Sequence, residues 1–117
     1  MTTIVLWVAD LNRSAEFYKD LFAAEDYYLV EGFASVKGLG NEVLLHLAPE
    51  QYRDDVSIGE DNPIKPVFSI ESIDAARAAA LKHGCSFQEQ ISEHNGLSYV
   101  DGKDPDGHVI QVCCAVS

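Results

Sequence analysis

The chain states one pattern twice. Ile4-Val5-Leu6-Trp7-Val8-Ala9 is an apolar run that stops at Asp10 and passes into Leu11-Asn12-Arg13-Ser14-Ala15-Glu16-Phe17-Tyr18. Pro66-Val67-Phe68-Ser69-Ile70 stops at Glu71-Ser72 and passes into Ile73-Asp74-Ala75-Ala76-Arg77. Each is a strand-length apolar stretch, a polar residue able to cap, and a segment of helical spacing. The two caps, Asp10 and Ser72, lie 62 residues apart in a chain of 117. Duplication over half a chain predicts two copies of one supersecondary unit sharing a core, and paired units leave clefts in which ligands bind.

The rest of each half follows the same order. Thr3 to Ala9 reads as a strand, and Leu11, Ser14, Phe17, Tyr18, Leu21 and Phe22 then fall at amphipathic helical spacing behind the Asp10 cap. Strands are expected at Tyr27 to Val30, Gly32 to Lys37 and Val43 to Leu47, with a turn over Gly38-Leu39-Gly40-Asn41. In the second half, Lys65 to Ile70 reads as a strand and Ile73 to His83 as an alanine-rich helix ended by Gly84. Strands follow at Ser86 to Ile91, Leu97 to Asp101 and His108 to Ala115, with turns at Glu93 to Gly96 and Asp104-Pro105-Asp106-Gly107. Between the halves lies a polar stretch holding Asp54, Asp55, Glu60, Asp61, Asn62 and Pro63, which reads as an exposed linker. The pattern is βαβββ–βαβββ: module one over about 1–50, the linker over about 51–63, module two over about 64–117.

Charge narrows the partners. With 19 acidic residues against 8 basic, the formal net charge is −11. A phosphate backbone or an anionic membrane would repel such a surface, whereas a cationic ligand would be attracted. No apolar run approaches a membrane span, and no basic stretch opens a signal peptide. Cys85, Cys113 and Cys114 are odd in number and lack framework spacing. Neighbouring Cys113 and Cys114 point to opposite faces of a strand, so they pair poorly, and a reducing cytoplasm is the expected location.

Three pieces of the chain together resemble the vicinal oxygen chelate superfamily, the glyoxalase, bleomycin-resistance and extradiol-dioxygenase fold. They are Val8-Ala9-Asp10-Leu11 leading into Arg13-Ser14-Ala15-Glu16-Phe17-Tyr18, Asp104-Pro105-Asp106-Gly107 ahead of Ile110-Gln111-Val112, and the duplicated βαβββ order. The resemblance implies an α+β fold in a single domain, with two modules each curling a four-stranded mixed sheet round a cavity. It also implies a homodimer with two equivalent cavities across its axis.

Many members of that superfamily hold a divalent metal with ligands on the first and last strands of each half. The matching positions here are Thr3, His46, Lys65 and Gln111. His46 and Gln111 are candidate ligands, but a threonine hydroxyl is a weak one and a lysine ammonium has no lone pair to give. None of the four is a carboxylate, so no metal or other cofactor is expected. What the resemblance leaves is a cavity. Strand alternation puts Thr3, Val5 and Trp7 on one face, and the family's geometry turns that face inward, together with Lys65, Val67, Val109, Gln111, Cys113 and His46. That is an apolar cup with a few polar anchors, the composition of a small-molecule site.

The expected function is metal-independent binding of a small organic ligand, of cationic character, in the manner of a bleomycin-resistance or sequestration protein, and the reading leans away from an enzyme. The alternative is a metal-dependent lyase, isomerase or transferase of the same superfamily, for which His46 and Gln111 would be ligands.

Overall fold

The computed structural model describes residues 3–54, 56 and 63–116. Asp55, Glu60, Asp61 and Asn62 of the expected linker therefore lie outside the described residues. Strand β1 (Thr3–Val8) leads into helix α1 (Leu11–Leu21), then β2 (Tyr28–Val30), β3 (Phe33–Gly38) and β4 (Asn41–Leu47), with a single 3-10 turn at Glu50–Tyr52. The second half repeats this with β5 (Val67–Ser69), α2 (Ile73–Lys82), β6 (Ser92–His94), β7 (Leu97–Lys103) and β8 (Val109–Ala115). Two four-stranded mixed sheets result, ordered β1-β4-β3-β2 and β5-β8-β7-β6, with the first and last strand of each half parallel and the others antiparallel. The sheets do not close into a barrel.

Both helices begin where their polar residues can cap them. The Asp10 carboxylate accepts from the Arg13 N–H and the Ser72 hydroxyl from the Ala75 N–H, satisfying a donor the first turn leaves open. The buried face of α1 carries Phe17, Tyr18 and Leu21. Tyr18 and Phe22 meet Phe68 of β5 at ring-centroid distances of 5.7 and 5.1 Å. The first half's helix thus packs on the second half's first strand, and one aromatic core serves both. No described helix is long and apolar enough to cross a membrane.

Three polar devices lock the halves. The Asn41 amide donates to Ser69 O (2.6 Å) and accepts from Ser69 N–H (3.0 Å), acting as a one-residue strand partner between β4 and β5. Asp20 of α1 accepts from His83 Nε2–H (2.7 Å) and pairs with Lys82 (3.1 Å) at the end of α2. The Asp104–Gly107 turn docks on the start of α1. The Asp106 side chain, 1% exposed, accepts from Ala9 N–H, Arg13 Nη2–H and Ser14 Oγ–H, each at 2.9 Å. Asp104 Oδ1 accepts from the Asp106 and His108 N–H groups, and Oδ2 accepts from the Tyr18 hydroxyl (2.7 Å).

The second half departs from expectation in three places. Ser86 to Ile91 is not a strand; only Phe87 forms a bridge, to Gly102. The reason is lateral: Arg77 Nη2–H takes the Gln88 and Glu89 carbonyls, which a ladder would need. The strand lies further on, at Ser92–His94, because the tight turn is Asn95-Gly96 alone, both at positive φ (51° and 79°), as a two-residue hairpin turn requires. Lys65 precedes β5 rather than lying in it, since Pro66 has no N–H to give and only its carbonyl joins the sheet, accepting from Gln111 N–H (2.9 Å).

Two predictions follow from these locks. Asp106→Ala strands the Ala9 N–H and the buried Ser14 hydroxyl, and urea unfolding should show a loss of about 3 kcal/mol, with Asp106→Asn between it and wild type. Burial alone would push the Asp20 carboxyl up, but hydrogen bonds from His83 and Lys82 and their charges outweigh it and hold it below the usual range. A depressed carboxyl gives stability that is present above its unfolded value, about 4, and lost as pH falls further. Asp20→Asn should therefore be less stable than wild type at neutral pH and converge on it toward about pH 2; a gap of constant size across that range would mean the charge of Asp20 is not its source.

Candidate functional site

Alternation along the strands gives each sheet a covered and an open face. In sheet one, Val8, Ala34, Val36, Val43 and Leu45 are buried against α1. The intervening Thr3, Val5 and Trp7 of β1, Glu42, Leu44 and His46 of β4, and Phe33, Ser35 and Lys37 of β3 share the other face, level with one another as Thr3–Glu42–Lys37, Val5–Leu44–Ser35 and Trp7–His46–Phe33. Sheet two buries Phe68, Val100, Ile110 and Val112. Its other face carries Val67, Ser69, Tyr99, Asp101, Val109, Gln111 and Cys113, with Val67 level with Gln111 and Asp101.

Each open face has a charged network. On sheet one the Thr3 hydroxyl donates to Glu42, and Lys37 pairs with the same carboxylate at 3.1 Å. The Thr3 hydroxyl and then the Lys37 ammonium hold the Glu42 carboxyl below its usual range. On sheet two Lys65 Nζ lies 3.0 Å from Asp101 Oδ2, while Gln111 Nε2–H donates to Asp101 Oδ1 at 2.8 Å. His46 Nδ1–H donates to Leu47 O (3.0 Å), so that in the neutral ring the lone pair is on Nε2.

Of the nine expected cavity residues, Thr3, Val5, Trp7 and His46 stand on the open face of sheet one. Val67, Val109, Gln111 and Cys113 stand on that of sheet two, with Lys65 beside them through Asp101. Within one chain the two sets do not meet: among the described residues no hydrogen bond, ion pair or ring contact joins them. Val5, Trp7 and Val67 are 57%, 44% and 47% exposed. A groove of about 950 Å³ lies along the second half between the Gly84–Gln88 loop and the β7–β8 turn. Lys65 and Val109 reach it, beside Arg13, Phe87, Asp101 and Asp104.

Register also corrects the matching of His46 with Gln111. Lys65 is two residues before Val67, which is level with Gln111, whereas Thr3 is level with Glu42. Counted from those first-strand positions, the partner of Gln111 is Leu44, and His46 lies one rung beyond, on the same face. None of the four positions is itself a carboxylate, but Glu42 adjoins Thr3 and Asp101 adjoins Lys65 and Gln111. Glu42 was missed because β4 runs past the apolar stretch that announces it, starting at Asn41, whereas Asp101 closed an expected strand and only the register of β7 on β8 sets it beside Gln111. Alternation counted back from His46 reaches Glu42, and that signal was available.

The donor set does not suit a dication. Lys65 is a cation held by Asp101, the Thr3 hydroxyl is directed at Glu42, and each carboxylate already faces a lysine. Among the described residues no group of three or more His, Cys, Asp or Glu side chains is placed to hold a metal ion. Cys85, Cys113 and Cys114 are free thiols, and burial pushes the Cys85 thiol up, away from the reactive thiolate.

The family description Glyoxalase/Bleomycin resistance protein/Dioxygenase superfamily matches residues 1–112. The chain belongs to this superfamily. Solved structures agree in fold. A glyoxalase/bleomycin resistance protein from Albidiferax ferrireducens T118 superimposes with a TM-score of 0.74 at 19% identity, over 97% of this chain and 96% of that one. The fosfomycin resistance protein FosX from Mesorhizobium loti gives 0.70 at 14% identity, over 99% and 92%. FosX from Listeria monocytogenes, complexed with Mn(II) and sulfate, gives 0.71 at 20% identity, over 99% and 90%. No curated protein matches the chain in sequence.

Proposed function

We propose that this superfamily member binds a small organic molecule without a metal, on the open faces of its sheets, and that a second copy of the chain completes the pocket. The observation that carries the reading is the exposure of Val5, Trp7 and Val67. They sit on β1 and β5, each of which is an edge strand with one unpaired side. Apolar side chains gathered on an open sheet face beside a free edge mark a surface made for covering. A homodimer would bring an apolar face of one copy over a charged network of the other, giving an apolar wall with few polar anchors. The Lys65–Asp101 ion pair, with Gln111 on the same carboxylate, gives that pocket fixed polar anchors without net charge. The −11 net charge attracts cationic ligands to the surface as a whole and repels nucleic acid. Sequestration of a toxic compound in a reducing cytoplasm fits the free thiols and the relatives named as resistance proteins.

A second reading has one specific observation in its favour. Glu42 and Asp101 are carboxylates on the open faces, and a FosX relative is complexed with Mn(II). If the lysines swung away, a metal-dependent lyase, isomerase or transferase could use them. Thermal unfolding in EDTA and then in excess Mn(II), with sedimentation on the same samples, separates the two. Binding without metal predicts the same Tm in both and a dimer; a rise of several degrees with Mn(II), as ligand linkage to the native state demands, would establish the enzyme reading instead. A protein that sediments as a monomer at every concentration tested would remove the second copy.

A further inference from the structure

Sheet one carries a row of rings that its packing does not use. Trp7 on β1 is level with His46 on β4, His46 with Phe33 on β3, and Phe33 with Val30 on β2, so the row crosses the whole sheet on the open face. A further ring is brought to it from outside the sheet. Tyr52 stacks on Trp7 with centroids 5.6 Å apart and planes at 28°. The short turn that bears Tyr52 is tied down: Tyr52 N–H donates to Pro49 O (2.8 Å), Arg53 Nε–H to Ala48 O (2.8 Å), and Ala48 N–H to Val8 O (2.9 Å) at the end of β1. Trp7 and Tyr52 are nevertheless 44% and 49% exposed. Two large aromatics, stacked and tethered yet left half in water, form a platform with an unoccupied π surface. His46 adds direction, because its Nδ1–H is spent on Leu47 O and in the neutral ring its Nε2 is an acceptor.

We propose that this row binds a flat aromatic ring bearing a hydroxyl group. The ring lies against the Trp7–Tyr52 pair and the hydroxyl donates to His46 Nε2. The inference rests on the reading of the open faces as a ligand surface and names the chemical class that surface takes. A saturated ring of the same size would bury similar apolar area but lack the quadrupole that stacking needs. An acyclic anion would have no partner on this row.

Trp7 is the chain's sole tryptophan, so its indole N–H gives one signal in a nitrogen–proton correlation spectrum of the labelled protein. Titration with 2-naphthol should shift that signal saturably, whereas decahydro-2-naphthol, the saturated counterpart, should not. Tyr52→Ala should weaken 2-naphthol about tenfold, and His46→Phe should abolish the preference for 2-naphthol over 2-methoxynaphthalene, which cannot donate. Both side chains are exposed, so neither change touches the core. Equal binding of the saturated alcohol, an unshifted indole, or full affinity in Tyr52→Ala would overturn the proposal. Sedimentation in parallel keeps the two readings apart. A dimer with an unresponsive indole defeats the ring platform alone, and a responsive monomer defeats only the second copy.

Discussion

A carboxylate as buried as that of Asp106 must be met by donors, and here they come from the opposite half of the chain: the Ala9 amide at the end of β1, and Arg13 and Ser14 in the first turns of α1. Charge-assisted bonds of this kind are among the stronger polar contacts in proteins. The turn that carries Asp106 is therefore the clasp by which the second half holds the first. Because the clasp sets α1 against β5, the two sheets turn their covered faces to a shared helical interior. Their other faces point away from it. The exposed Trp7 row and the Lys65 network both follow from that arrangement.

The same turn carries an opposing electrostatic element. Burial pushes the Asp104 carboxyl up, and His108 and the Tyr18 hydroxyl only partly counter it. A raised carboxyl holds its proton more tightly in the folded chain, so its contribution favours folding as pH falls through that raised value, the reverse of Asp20. Tyr18 responds in kind, its phenol pushed well up by burial and then by the neighbouring Asp104. It donates without ionising. The two aspartates of one four-residue turn thus play different parts: Asp106 is satisfied by an arginine and two further donors, and Asp104 is a buried acid held by amides and a phenol.

Much of the scaffold was legible. Asp10 and Ser72 announce both helices because capping is local chemistry, and alternation groups Thr3, Val5 and Trp7 on one face because strand geometry is local too; which way that face turns came from the resemblance. The two-module plan came from the duplicated pattern, and the four-stranded mixed sheets through resemblance, carried by the Asp-Leu and Asp-Pro-Asp-Gly motifs. What escaped depends on partners distant in sequence. Arg77 removes the Gln88 and Glu89 carbonyls from a ladder, so Ser86 to Ile91 has strand composition without being a strand. Glu42 and Asp101 join the open faces only once register sets them beside Thr3 and Gln111. Tyr52 sits in a polar stretch that reads as linker, and nothing in the linear order says that it stacks on Trp7. The nine cavity residues divide within one chain into two sets, one on each sheet, and that division follows from the placing of whole sheets rather than from any local signal.

The Asn41–Ser69 pair has a consequence for how such a duplicated chain can vary. One side-chain amide ties the two sheets directly, bonding through both its oxygen and its nitrogen to the main chain of Ser69 in β5, and it adds to the other two contacts that align the halves. Alignment is thereby delegated to contacts next to the helical interior and taken away from the connecting segment. Residues joining the halves are then free to lengthen, shorten or change composition without disturbing the angle between the sheets. That freedom gives a duplicated architecture room to acquire a side chain such as Tyr52 from outside its repeat.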